Sequence, residues 1–320
     1  MLRHLQFFVL CCALLTLAAW ASVGCAQTST PTLTAVLTEN EPSTAVHPTW
    51  ASVPATILPP TLLPPTSTLP PTYAPVPTAT PTTVTLRTKS RQTAQSVEIQ
   101  VSGVNGISET VKVGYLLYIP EGYGQDSQKN WPLILFLHGS EERGDDIELL
   151  RRNGLPKVLD EGRELPCLVV SPQCPAGMWW WPRVHVLSAF LDRIQLMYPI
   201  DTQRVYLTGL SMGAYGVWAL ALREPQRFAA LVPIAGGYWD GKNSLPQNIC
   251  DLENVPIWVF HGERDNIILP WESKTLVEAL DKCGGNVRYT LYPEADHQQS
   301  WEQAYADPAL YEWLLQQSRK

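Results

Sequence analysis

Val205-Tyr206-Leu207-Thr208-Gly209-Leu210-Ser211-Met212-Gly213-Ala214 is the stretch that decides the fold. An apolar run leads straight into Gly-x-Ser-x-Gly, and a helical pattern from Ala214 to Leu222 leads out of it. The five-residue motif alone is weak, because Gly and Ser are common residues. Its place between a buried strand and a helix makes it informative. A strand-to-helix turn of this kind is so tight that flanking side chains would clash, which accounts for Gly209 and Gly213. The turn lifts the Ser211 hydroxyl above the carboxyl edge of a sheet, where it is available as a nucleophile.

The pattern on either side of this turn agrees with it. Buried apolar runs fall at Pro132–Leu137, Cys167–Ser171, Arg204–Thr208, Phe228–Ile234, Val255–Phe260 and Val287–Tyr292. Continuous Val, Ile and Leu of that length read as strands covered on both faces. Helical patterns lie between them at Val184–Tyr198, Met212–Arg223, Glu272–Lys282 and Ala309–Gln317. This alternation predicts an α/β fold with a mostly parallel, doubly wound sheet. Two β-rich segments, Ser96–Val101 and Val111–Ile119, flank Gly103-Val104-Asn105-Gly106 and read as an opening antiparallel pair. One catalytic domain over residues 94–320 is expected. Only about twenty residues separate Ile234 from Val255, too few for a helical lid.

A serine hydroxyl needs a base, and with this kind of turn the chain order is serine, acid, histidine. Of the six His, His297 is the one beyond any plausible acid, and it follows the last strand. Asp265 follows the next-to-last strand in His261-Gly262-Glu263-Arg264-Asp265 and is the expected acid. Asp240 is the runner-up and Glu263 a remoter option; Asp296 adjoins the base and is badly placed to reach its far nitrogen. Acyl transfer creates an oxyanion that backbone donors must meet. The amide of Met212, next after the nucleophile, is one donor. The other is expected from Ser140, in His138-Gly139-Ser140 after the strand Leu133–Leu137, where Gly139 lets the backbone turn.

The chain has 320 residues, a net charge of −7 and no basic stripe, which argues against a nucleic-acid partner. Its N-terminus reads as a targeting segment. Arg3 and His4 precede an apolar run from Leu5 to Ala21, followed by small residues before Cys25. Residues 1–25 are therefore expected to be a signal peptide of lipoprotein type, with Cys25 lipidated and anchored in a membrane. An ordinary secretory signal cut near Ala21 is the alternative. Residues 26–93, rich in Thr, Pro, Ser and Ala, read as a disordered stalk holding the catalytic domain away from a surface.

In an exported chain, Cys167, Cys174, Cys250 and Cys283 form an even set with three possible pairings. The local pairs, 167 with 174 and 250 with 283, are the first expectation. No metal or organic cofactor is implied, since the cysteines lack zinc-type spacing. Trp179, Trp180 and Trp181 follow a strand near the catalytic edge. One or two are expected to pack into the fold, leaving one to offer a ring to an aromatic acyl group or a sugar. Trp301, one turn beyond His297, reads as a brace for that histidine. Arg143, among Glu141, Glu142 and Asp145, reads as part of a solvated charge cluster.

Residues 115–317 resemble the exported esterase and peptidase branch of the α/β-hydrolases. That branch joins feruloyl esterases, polyhydroxyalkanoate depolymerases and prolyl-oligopeptidase-like predicted peptidases. The matching stretches are Phe136-Leu137-His138-Gly139, Gly144-Asp145, Tyr206 to Gly213, His261-Gly262 to Asp265, and His297 to Trp301. Relatives commonly carry Gly where this chain has Glu141. The resemblance implies an α/β-hydrolase fold and cleavage of carboxylic esters, aromatic, carbohydrate-linked or polymeric, through an acyl-enzyme. Peptide cleavage by the same triad is the alternative. A catalytically silent surface binding module is a third reading, opposed by the intact Ser211, Asp265 and His297.

Overall fold

The computed structural model describes residues 91–102, 108–242 and 244–319. All of them fall within the unit running from Thr78 to Lys320. The expected signal peptide, Cys25 and nearly all of the stalk lie outside the described residues.

Eight strands form one sheet: β1 (Gln92–Ser102), β2 (Ser108–Tyr118), β3 (Trp131–Leu137), β4 (Leu168–Pro172), β5 (Ile200–Leu210), β6 (Ala230–Ile234), β7 (Ile257–Gly262) and β8 (Val287–Tyr292). Their order is β1-β2-β4-β3-β5-β6-β7-β8. β2 runs antiparallel to both of its neighbours, and every other adjacent pair from β4 to β8 is parallel. The expected doubly wound sheet with an antiparallel opening pair is therefore present.

Among the described residues six helices cover it: α1 (Gly154–Asp160), α2 (Val184–Met197), α3 (Met212–Arg223), α4 (Pro270–Lys282), α5 (His297–Ala306) and α6 (Pro308–Gln316). α2 buries Val186, Leu187, Phe190, Leu191 and Ile194, the spacing of one helical face. With α3 and α4 it covers one side of the sheet, against Leu133, Leu135, Val205 and Leu207. α1, α5 and α6 cover the other, against Ile134, Phe136, Tyr206 and Val232. Alternate residues of β3 and β5 thus feed opposite cores, as a pleated strand requires, and both strands end beneath the Ser211 turn. Between β6 and β7 the described residues contain a single short 3-10 turn, Ile249–Leu252, so no helical lid stands there.

Two expectations need correction. Val287–Tyr292 was expected to be covered on both faces, yet no residue of β8 is fully buried. β8 is the sheet edge, with Arg288 and Leu291 exposed and its other residues only half-buried. Cys250 and Cys283 are bonded, with Cα atoms 5.4 Å apart, whereas Cys167 and Cys174 are free thiols. Cys167 packs with the core on one side of the sheet and Cys174 with the core on the other. β4 separates them, so closeness in sequence does not bring the sulfurs together.

Candidate active site

Ser211 sits between β5 and α3 with φ 51° and ψ −120°, in the left-handed half of backbone space that a non-glycine residue rarely occupies. Its amide is hydrogen-bonded to Ile234 O at 2.9 Å, and its carbonyl accepts from Ala214 N. The expected need for glycine is met at Gly213, where a Cβ would stand 1.9 Å from Leu137 O. α3 can start directly against the end of β3 only because that atom is missing.

His297 is the first residue of α5, not a loop residue. The helix start is set by a capping box. Asp296 accepts the Gln299 amide at 2.9 Å, and the Gln299 side chain accepts the Asp296 amide at 3.0 Å. Asp296 is thereby occupied as a cap and is no partner for the imidazole. The ring of Trp301 meets His297 edge-to-face with centroids 4.9 Å apart, the bracing contact expected of it. Sequence patterning missed this helix because its inward face is built from Ser300, Trp301, Ala304 and Tyr305, a short and mixed set.

Asp265 is buried on the loop after β7. Its Oδ1 accepts the amides of Ile267 and Ile268 at 3.0 and 2.9 Å. Its Oδ2 lies 2.6 Å from His297 Nδ1, and His297 Nε2 lies 2.9 Å from Ser211 Oγ. An ionised carboxylate can only accept, so Nδ1 carries the proton and Nε2 is free to accept from the serine. Burial works against the Asp265 charge. Hydrogen bonds from His261, His297 and the Ile268 amide outweigh it and hold the carboxyl well below the usual carboxylate range. Asp240, the runner-up, is exposed and accepts the Lys242 amide instead; Glu263 is exposed as well.

Ser140 opens a 3-10 turn, Ser140–Glu142, and Met212 opens α3. First-turn amides have no acceptor within their own helix, so both N–H groups are left for other partners. The Ser140 loop is held from below. Cys174 N–H donates to His138 Nε2 at 2.9 Å, which leaves the ring hydrogen on Nδ1 to donate to Gly139 O at 2.6 Å. Burial pushes this histidine down to about 4, so it stays neutral at ordinary pH.

The same loop is held from the side by Arg143, which donates to Ser140 O at 2.8 Å and Met178 O at 3.1 Å. Its guanidinium also lies 5.3 Å from the centre of the Trp179 ring. Arg143 is a clamp rather than a solvated charge. Glu142, from the same acidic group, is 2% exposed; burial raises its carboxyl, and the Asn153 side chain donates to it.

Ser211, His297 and Ser140 open onto one cavity of about 410 Å³, walled also by Glu142, Asn153, Ile267 and Trp301. That volume suits a small organic group. None of the three consecutive tryptophans lines it. Trp180 is 2% exposed and donates to His138 O at 3.0 Å, Trp181 is half-buried, and Trp179 faces solvent under Arg143. The aromatic wall of the cavity is Trp301. Asn153 and Ile267 escaped sequence reading because neither belongs to a motif; each reaches the cavity through the path of its loop.

An eight-stranded, mostly parallel sheet in this order, with a strained serine turn at its carboxyl edge, is the architecture of the α/β-hydrolases, and the chain has that fold. A model of the Dienelactone hydrolase family matches residues 176–308. A bifunctional acetylxylan esterase/xylanase of Neocallimastix patriciarum is 28% identical over 144 residues, which is 43% of this chain and 20% of that protein. A poly(3-hydroxyalkanoate) depolymerase C of Paucimonas lemoignei is 30% identical over 195 residues, covering 49% and 46% respectively. The chain thus spans less than half the length of either relative. A solved structure described as a thermostable esterase is 31% identical with a TM-score of 0.56, covering 70% of this chain and 63% of its own.

Proposed function

We propose that this protein is a serine hydrolase that cleaves carboxylic esters. The observation that carries the reading is the hydrogen-bonded chain from Ser211 Oγ through His297 to Asp265, at 2.9 and 2.6 Å, opening on a cavity. Ser211 Oγ attacks the ester carbonyl while His297 Nε2 takes its proton. The carbonyl oxygen becomes an oxyanion facing the amides of Ser140 and Met212. Collapse of this intermediate breaks the bond to the alcohol, which leaves with the proton from His297. Water then gives a proton to the same nitrogen and attacks the acyl-enzyme. Release of the carboxylic acid restores Ser211. Throughout, Asp265 keeps the imidazole in one tautomer and stabilises its cation.

Esters are favoured over amides because the relatives found by sequence are named as an esterase and a polyester depolymerase. The lidless approach between β6 and β7 suits an acyl group carried on a polysaccharide or polyester chain. Export, a lipid on Cys25 and a Thr/Pro stalk belong to the same proposal, and the sequence of residues 1–93 supports them.

The test compares p-nitrophenyl acetate and butyrate with a peptide p-nitroanilide. Ester turnover should dominate, and Ser211→Ala should reduce it by about 10⁴-fold or more. Amide turnover exceeding ester turnover would sink the substrate class. Hydrolysis surviving in Ser211→Ala would sink the mechanism.

A further inference from the structure

The Oδ2 atom of Asp265 has two histidines on it. His297 Nδ1 approaches at 2.6 Å, and Nε2 of His261, fully buried at the end of β7, lies 3.1 Å from the same oxygen. The contacts of His261 fix its hydrogens. Nε2 also faces Ile268 O at 2.9 Å. A carboxylate and a carbonyl only accept, so Nε2 carries a hydrogen. Nδ1 lies 2.7 Å from Ser273 Oγ, and that Oγ lies 2.6 Å from Gly236 O. The carbonyl requires the single hydroxyl hydrogen, so Ser273 meets Nδ1 as an acceptor and Nδ1 carries a hydrogen too. A neutral ring would leave lone pairs facing each other across one of these short contacts.

We infer that His261 is a buried imidazolium and the positioning residue of the catalytic acid, holding the same Asp265 oxygen that His297 meets. The inference rests on the proposed triad. Two consequences follow from the charge. It balances the buried carboxylate, which would otherwise stand uncompensated in the core. It also repels the positive charge that His297 gains during the reaction.

Other ionisable groups nearby are engaged or turned away. Tyr215 of α3 donates to Glu272 of α4 beside Ser273, Glu263 and Arg264 are exposed, and Tyr292 of β8 stacks on Phe260. Asp265 is therefore the carboxylate in contact with the ring.

Two measurements on the full chain test this. Nitrogen-15 NMR of the histidine side chains should show both ring nitrogens of His261 protonated at neutral pH. An unprotonated ring nitrogen at neutral pH would overturn the inference. In His261→Gln a donor toward Asp265 is retained without the charge. The acid limb of the kcat/KM profile should then move up by about one pH unit or more, since Asp265 would act on His297 alone.

Ser273→Ala, which removes the acceptor for Nδ1–H, should move the limb in the same direction and serves if His261→Gln does not fold. A limb that stays in place or moves down in the folded variants reduces His261 to a packing residue. Hydrolysis that survives Ser211→Ala overturns the reading of the site, whereas a neutral His261 ring overturns this inference alone.

Discussion

Acidification should destabilise the fold through His138, the neutral imidazole beneath the Ser140 loop. Both ring nitrogens are committed, one accepting the Cys174 amide and the other donating to Gly139 O. A second proton must go on Nε2, where it breaks the first contact and leaves a cation in the core. Burial accordingly pushes the group down to about 4 from its ordinary 6.5. As pH falls through about 6.5 the unfolded chain takes up this proton and the folded chain does not, so stability falls with pH until about 4. Two and a half pH units at about 1.4 kcal/mol each give about 3.5 kcal/mol in full, of which about 2.5 kcal/mol is lost by about pH 4.5.

The assay is urea unfolding followed by tryptophan fluorescence at about pH 7, 5.5 and 4.5, on the wild-type chain and on His138→Gln. The glutamine carbonyl can accept from Cys174 but gains no proton. Asp265 also loses its stabilising contribution in acid, since its carboxyl is held low in the fold, but it does so in both proteins and cancels in the difference. The stability gap between the two should therefore narrow by about 2.5 kcal/mol between about pH 7 and 4.5. Parallel loss of stability would refute the account of a neutral, locked ring.

Gly213→Ala should yield no soluble folded protein, judged by circular dichroism, because its Cβ would collide with Leu137 O across the β3–α3 contact. Replacing Cys250 and Cys283 by serine together should lower unfolding stability by about 3.7 kcal/mol, the loop-closure value for a separation of 33 residues, in a denaturant titration. Cys25→Ala should abolish incorporation of radiolabelled palmitate and release the protein from the membrane fraction of a bacterial host that expresses the full chain. Continued incorporation would exclude Cys25 as the lipid site.

The legible parts of this molecule were those in which local chemistry leaves one solution. The Gly209-to-Gly213 turn could be read because only glycine permits the approach of α3 to β3, and the inner strands because β3, Val205–Leu207 of β5 and Ile257–Phe260 of β7 are apolar without interruption. His297 and Asp265 followed from the order of elements along the chain. What stayed hidden depends on how distant segments meet. Asn153 reaches the cavity from the start of α1, and Glu142 lies buried with the Asn153 side chain donating to it. Arg143 looked solvated because its partners, two carbonyl oxygens, leave no trace in side-chain identity. His261 stood in view in a His-Gly pair, but its importance arises only when residues 265–268 fold back over its ring and Ser273 closes the other side.

The free thiols Cys167 and Cys174 have a practical consequence. Burial raises both, Cys174 to about 11 and Cys167 well above the ordinary thiol range, so neither reacts with an alkylating reagent while the sheet is closed. Because Cys167 belongs to one face and Cys174 to the other, each works as an independent clock for its own layer. Modification at both sites at one rate would mean that the layers open together, and unequal rates would show which set of helices lifts off first.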